Sequence, residues 1–382
     1  MTGKFKANLI ILMTLALFFG FLHLFIPDGK AHNFERLHIF LFNLCSGGTI
    51  LLYYTEKKKR LTKKASLFSF LAVCYAACAF FKFYFVSMFI AILLAGIVES
   101  VRIRRFSAFP FDFFRPSPVS EKFHQASLLC LSLGLVISSL VIANNEYFKV
   151  VSFPKLKLDT FFLGFSFPLS LITMSVMFSL MKDDVRNIIR ILKDAGFWTV
   201  NLGVIIFFLF IMFERLDFQL IVTSILFCSV VMIFILFAKL GIKTQQKNFL
   251  TSGMVFLLFT AVTGILYILL EFHPSYNPER LKLLLRVHAF ASLYGWNLSG
   301  LAVICRYDDF PIMLDSKWII IIHWITVVIL APLGYYFKPF AVSAVVLYLL
   351  MLYMILFSKG SSGASMLNHG YRKDADDRLP GG

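Results

Sequence analysis

Apolar runs of roughly 18 to 24 residues recur from one end of the chain to the other, each long enough to cross a hydrocarbon core of about 30 Å as a helix. No interval between them is large enough for a soluble domain. The runs are apolar on every side, whereas the strands of a transmembrane barrel are about 10 residues long and alternate in polarity. An all-α fold follows, a polytopic transmembrane helical bundle. About 12 spans are expected, at 8–26, 36–55, 65–82, 83–99, 125–144, 160–181, 196–214, 217–239, 249–271, 281–305, 318–337 and 340–358. Composition agrees: 59% of the 382 residues are hydrophobic, only 15% are charged and 46 are Phe, which lies outside the range of soluble domains.

Lys and Arg are retained on the cytoplasmic side during insertion, so their distribution sets the orientation. With the N-terminus inside, 26 of the 37 Lys and Arg fall in cytoplasmic segments, and the bias holds loop by loop. Both termini are then cytoplasmic. The net charge of +16 is mostly this signal, reinforced by attraction to anionic headgroups. Spread over separate short segments, it does not form the single basic face that nucleic acid requires. The short-looped plan points to a multi-pass cell-membrane protein, in a bacterial inner membrane. The first span follows a short basic stretch but lacks a small-residue cleavage site, so it reads as a retained helix. All six cysteines lie in or at the edge of spans, with neither a disulfide framework nor zinc spacing.

Residues 1–358 are expected to form one membrane domain, followed by a Gly/Ser-rich cytoplasmic tail, 359–382, expected to be disordered. Pro116 and Pro118 forbid a regular helix in the segment from Val101 to Gln125, and Lys182 to Ala195 reads as a short amphipathic helix on the membrane surface. Two hairpins, 8–55 and 249–305, resemble each other. The first carries Gly20-Phe-Leu-His23, then Asn33-Phe-Glu-Arg36 and Arg36-Leu-His38-Ile-Phe40. The second carries Gly264-Ile-Leu-Tyr267, then Asn277-Pro-Glu-Arg280 and Arg286-Val-His288-Ala-Phe290. A diverged duplication and a chance agreement of short patterns both account for this.

Ionisable groups within a membrane cost several kcal/mol unless paired, so each one calls for a reason. His38 and His288 fall at similar depth in the outer part of spans two and ten. Below His288 the same helix face carries Ala291, Ser292, Gly295 and Ser299; below His38 it carries Leu41 and Phe42, then Cys45, Gly48 and Thr49. A histidine above a flat face suits a haem, whose iron the imidazole reaches, and equally suits close helix packing with an interhelical hydrogen bond. Arg36 and Arg286 have the reach for a haem propionate or a lipid phosphate, or they snorkel to the headgroups. His23 and His273, near span ends, are candidate metal ligands. His323, beside Trp324, is a buried hydrogen-bonding residue or a ligand; His32 and His124 are loop residues, His369 lies in the tail, and Lys82 sits in the turn between spans three and four.

Enzyme motifs are largely missing. Asn297-Leu-Ser299-Gly300 has the Ser-Gly of rhomboid proteases without the preceding glycine, and there is neither a P-loop nor a zinc-protease motif. Twelve spans with both ends inside, and one outer histidine each on spans two and ten, resemble subunit I of the haem-copper oxidase superfamily. In that family these histidines are the axial ligands of a low-spin haem with outward propionates. The resemblance implies that role for His38 and His288, with Arg36 and Arg286 as propionate partners. It stops at the oxygen-reducing centre, which requires histidines on helices six and seven, where this chain has none. What it implies is therefore a degenerate member that binds haem or a metal near its outer face between spans two and ten and does not reduce oxygen. Haem-containing twelve-span proteins linked to nitric-oxide resistance are similar in the same sense.

The competing expectation is a secondary transporter of a small solute, or a lipid-handling or scaffold protein. Pro168 and the pairs Gly47-Gly48 and Gly295 to Gly300 are suited to breaking helices near a midplane site. A repeat offset of eight spans does not match the usual six-plus-six division, and buried carboxylates for ion coupling are missing.

Overall fold

The computed structural model describes residues 1–26, 33–58, 60–152, 155–156, 160, 162–182, 186–242, 245–273, 276–306 and 317–358. Among these the chain is a set of long helices, with no strand pairing beyond one isolated bridge between Met181 and Gly241. Eleven helices are long and apolar enough to cross a membrane. They are α1 (Gly3–Leu24), α2 (Phe34–Thr55), α3 (Lys63–Phe80), α4 (Tyr84–Arg105), α5 (Val119–Phe148), α6 (Phe162–Ser179), α7 (Asn187–Met212), α8 (Leu216–Leu240), α9 (Gln246–Glu271), α11 (Lys317–Gly334) and α12 (Lys338–Phe357). Between α9 and α11 runs α10, a continuous rod of Pro278–Phe290, Ala291–Asn297 and Leu298–Cys305. Its first turns carry Glu279, Lys282 and Arg286, and its later part carries His288, Ser292, Asn297 and Ser299, so it is less apolar than the eleven.

Helix starts follow local chemistry. The side chains of Asn33, Thr62 and Asn277 accept from the backbone N–H of Arg36 (2.9 Å), Ala65 (3.1 Å) and Glu279 (2.9 Å), satisfying donors a first turn leaves open. Several turns place a long side chain in the left-handed region usually given to glycine: Lys57, Lys82, Lys149 and Glu214 all have positive φ.

Successive helices run in alternation between two ends. At one end the turn after α1 meets the turn after α11, where the His23 ring lies 4.4 Å from that of Tyr335. At the other, Arg306 after α10 donates to the carbonyls of Ile355 (2.9 Å) and Ser358 (2.8 Å), capping α12. Burial is unequal. Within α2, 83% of the apolar window is buried and within α6 72%, against 28% in α3 and α7. From Ala291 to Cys305 of α10, every residue except Ser292 is buried. Helices α2, α6 and α10 thus form the centre. α5 joins them closely, because a Cβ on Gly134 would collide with the backbone of Gly164. The central helices widen into π-helical turns at Phe40–Gly48 in α2, Phe162–Ser166 in α6 and Ala291–Asn297 in α10.

Two sequence expectations need correction. His124 is not in a loop: it lies within α5, fully buried, with Nε2 2.8 Å from the Thr55 hydroxyl and its ring stacked on Tyr54. The stretch up to Ala195 is not a separate surface helix either, since α7 runs unbroken from Asn187, and Asp194 receives a 2.7 Å bond from Lys122 of α5. His32 and the tail 359–382 lie outside the described residues.

Candidate functional site

His38 projects from α2 onto α1. Its Nδ1 lies 2.8 Å from the carbonyl oxygen of Ala16, and the ring rests on Gly20, where an added Cβ would come within 2.9 Å of Nδ1. His288 does the same from α10 onto α9. Its Nδ1 lies 3.0 Å from the carbonyl oxygen of Thr260 and 3.2 Å from the Thr263 hydroxyl, with the ring on Gly264, where a Cβ would come within 3.1 Å of Cε1. In both hairpins the accepting carbonyl belongs to the residue four before the glycine, one turn along the helix. The two resembling sequences therefore build one device twice, a glycine seat with a histidine latch.

A carbonyl only accepts, so the Nδ1 of each latch carries its proton. Nε2 of each ring has no hydrogen-bond partner among the described residues. That is the tautomer in which a metal-ligating histidine is usually held. The pair, however, is not opposed. From α10, His38 meets the Phe290 ring edge-on at 6.3 Å and the Tyr294 ring at 5.4 Å, with the Tyr294 hydroxyl 3.0 Å from Nδ1. Tyr294 also packs 4.7 Å from Phe42. Aromatic rings fill the space where α2 and α10 meet, and His288 is turned away toward α9. A haem held between His38 and His288 does not fit these positions.

Arg286 is engaged elsewhere. Its Nη2 donates to Glu35 Oε1 at 2.7 Å, and its guanidinium lies 3.8 Å over the Tyr335 ring. Tyr335 donates its hydroxyl to the same carboxylate oxygen at 2.5 Å. Burial, then this bond to Glu35, pushes the Tyr335 phenol well above its ordinary pKa, so it remains a donor. His23 Nε2 donates to the Tyr335 carbonyl at 3.0 Å. Together these side chains clamp the ends of α1, α2, α10 and α11. His23 and His273 are both exposed, and no three His, Cys, Asp or Glu side chains converge as a metal site among the described residues. His323 is buried against Phe249 and Phe256, with Nε2 2.7 Å from the Tyr294 carbonyl. Ser299 donates to the Gly295 carbonyl at 2.7 Å inside the core, which removes it as an accessible nucleophile.

Arg36 takes a different path from Arg286. It lines a small hollow of about 50 Å³ among α2, α3, α4 and α5, together with Tyr75, Tyr84, Ser138, Asn145 and Glu146. An adjoining hollow of about 40 Å³ shares Arg36 and Tyr84 and adds Asn33 and Lys82. The sequence marks Arg36 as a residue with reach for a propionate or a lipid phosphate, and Lys82 only as part of the turn between spans three and four. What it could not show is that the three-residue turn after α3 and the start of α2 bring them to one opening.

No family model, curated protein or solved structure proved similar to the chain.

Proposed function

We propose that the chain is a twelve-span membrane protein with both termini in the cytoplasm, suited to a bacterial inner membrane, and that it handles a small solute or a lipid through the small hollow beside Arg36. The Lys and Arg bias supports the orientation, and the buried rod α10 supplies the twelfth span. The observation that carries the functional reading is the contrast between the two polar features. The imidazoles are closed down on their own hairpins, whereas polar side chains from α2, α4 and α5, among them Arg36, Tyr84, Asn145 and Glu146, line one small hollow of about 50 Å³.

A second reading has its own observation. With Nδ1–H fixed on a carbonyl, each latch histidine keeps the Nε2 lone pair for a metal ion, so haem or a metal would be taken by the two histidines separately. One experiment decides. The protein is purified in mild detergent from cells supplied with haem precursor, and absorption spectra are recorded with and without dithionite, followed by thermal unfolding with a panel of solutes and lipids. A colourless protein whose unfolding midpoint rises with a panel member supports the first reading. A Soret band that sharpens on reduction and disappears in His38→Ala or His288→Ala overturns it in favour of the second.

A further inference from the structure

The segment joining α4 to α5 is held firmly in place, and yet it turns apolar rings outward. Arg102, buried and paired with Glu99 at 2.7 Å, donates to the carbonyls of Ser107 (2.9 Å) and Ala108 (2.7 Å). Asp112 accepts from both the N–H and the hydroxyl of Ser107, and the Phe113 ring packs 5.4 Å from that of Phe197 on α7. So fixed, the segment leaves Phe109, Phe111 and Phe114 exposed by 69%, 61% and 78%. Fixing three phenylalanines in water gains no burial in return.

We infer that this segment is an interfacial anchor, with Phe109, Phe111 and Phe114 seated at the acyl boundary of an anionic leaflet and Arg104 and Arg115 on its phosphates. It needs the membrane-spanning helices and makes no use of the hollows beside Arg36, so it stands apart from the solute- or lipid-handling reading. Continuity names the occupant. On α4, Phe85, Phe89, Ile92 and Ile103 are exposed at the spacing of a single helix face, and on α7 so are Leu202, Ile205 and Leu209. Trp198 precedes the second stripe by one turn, and the Phe114 ring lies 5.2 Å from it. The anchor thus joins two faces already turned to lipid. Phe114 stands beside the apolar run of α7 and not beside its charged start, where Asp194 meets Lys122 at 2.7 Å.

Charge selects the leaflet. Arg102 is paired with Glu99 and Arg105 with Glu121. Arg104 is exposed and has no ion pair among the described residues, and the Arg115 side chain, 70% exposed, meets Asp112 at only 3.5 Å. Outward cations beside outward rings fit a layer whose phosphates overlie hydrocarbon. An acidic soluble partner would use the arginines but would not account for rings that continue the lipid faces of α4 and α7.

The test places Phe111→Trp and Phe114→Trp versions of the full chain in nanodiscs of phosphatidylcholine, alone or mixed equally with phosphatidylglycerol. Part of the phosphatidylcholine carries bromine on its acyl chains, and the emission added over the wild-type protein is read. That emission is expected to be quenched by the brominated chains and shielded from acrylamide, more completely with phosphatidylglycerol present. Adding Arg104→Gln or Arg115→Gln should lower the ratio of lipid-seated to water-exposed rings by about fivefold in the anionic discs, while Lys338→Gln should not. Every substituted side chain is exposed, so an unchanged unfolding midpoint is expected to accompany each variant. Quenching by acrylamide and not by bromine, in both kinds of disc, puts the rings in water and overturns the inference. Equal seating in the two kinds of disc, unmoved by the arginine variants, overturns the anionic assignment.

Discussion

Gly20 and Gly264 decide how closely two histidines approach a neighbouring helix, and each does so by what it lacks. A methyl group at either position would press on the imidazole, at 2.9 Å from His38 Nδ1 or 3.1 Å from His288 Cε1, and the ring cannot retreat without losing its carbonyl. Gly20→Ala and Gly264→Ala are therefore expected to destabilise the folded protein by about 1–3 kcal/mol each, measured as a lowered unfolding midpoint in detergent. Gly96→Ala is the internal control, since nothing lies within 4 Å of its added Cβ, and it should be neutral or mildly stabilising. Equal effects at all three positions would show that the latches are not packed as described. The sequence displayed the glycines and histidines as matching words, yet it could not show which helix each ring faces. Positions 288 and 290 differ by about 200° around a helix, so whether His288 or Phe290 meets α2 depends on the rotation of α10, which packing fixes. That one angle separates a shared haem from a filled aromatic seam.

Among elements, spans were far easier to read than their ends. An apolar run identifies a crossing helix because lipid leaves the backbone no alternative partner. Where the run stops and charged residues begin, a helix running on past the apolar core and a separate surface helix share the same amphipathic pattern, so the sequence does not separate the start of α7 from a surface helix, nor His124 within α5 from a loop. The segment between α4 and α5 illustrates the opposite case, a loop ordered by side chains. Ser107 donates to Asp112 Oδ2 through both its backbone N–H (3.0 Å) and its hydroxyl (2.6 Å), and Ser117 donates to the Asp112 carbonyl at 3.0 Å. The Ser107 hydroxyl and N–H hold the Asp112 carboxyl below its ordinary value of 3.8. A depressed carboxylate pKa stabilises the ordered loop above that ordinary value, and the contribution is lost as pH falls through the lower, folded-state pKa. Hydrogen exchange at the Ser107 amide, corrected for intrinsic rates, should therefore stay slow from neutral pH to about 5 and accelerate only below 3.8. In Asp112→Asn it should be fast throughout. Slow exchange persisting in that variant would place the order of the loop elsewhere.

For the molecule as a whole, one parity question carries the topology. The helices alternate between two ends, so the number of crossings determines whether the termini share a side of the membrane. Eleven helices are apolar enough to cross on composition alone, and α10 holds the balance. Its first turns are charged, but Arg286 is paired with Glu35 at 2.7 Å and Lys282 with Glu279 at 2.6 Å, while from Phe290 to Cys305 every residue except Ser292 is buried by its neighbours. A helix shielded from lipid need not be apolar on every face, and α10 has the length to cross. On the proposed topology the count is twelve, and the N- and C-termini share a side. Fluorescent-protein fusions at the two termini are expected to glow in the cytoplasm, and alkaline phosphatase fused after Tyr276 should be active while the same fusion after Ile242 is silent. An active phosphatase fused after Ser358 would mean an odd number of crossings. That result would remove α10 as a span, put Ser358 on the same side as Arg36 and Lys82, and leave the Lys and Arg bias of the last two loops unexplained.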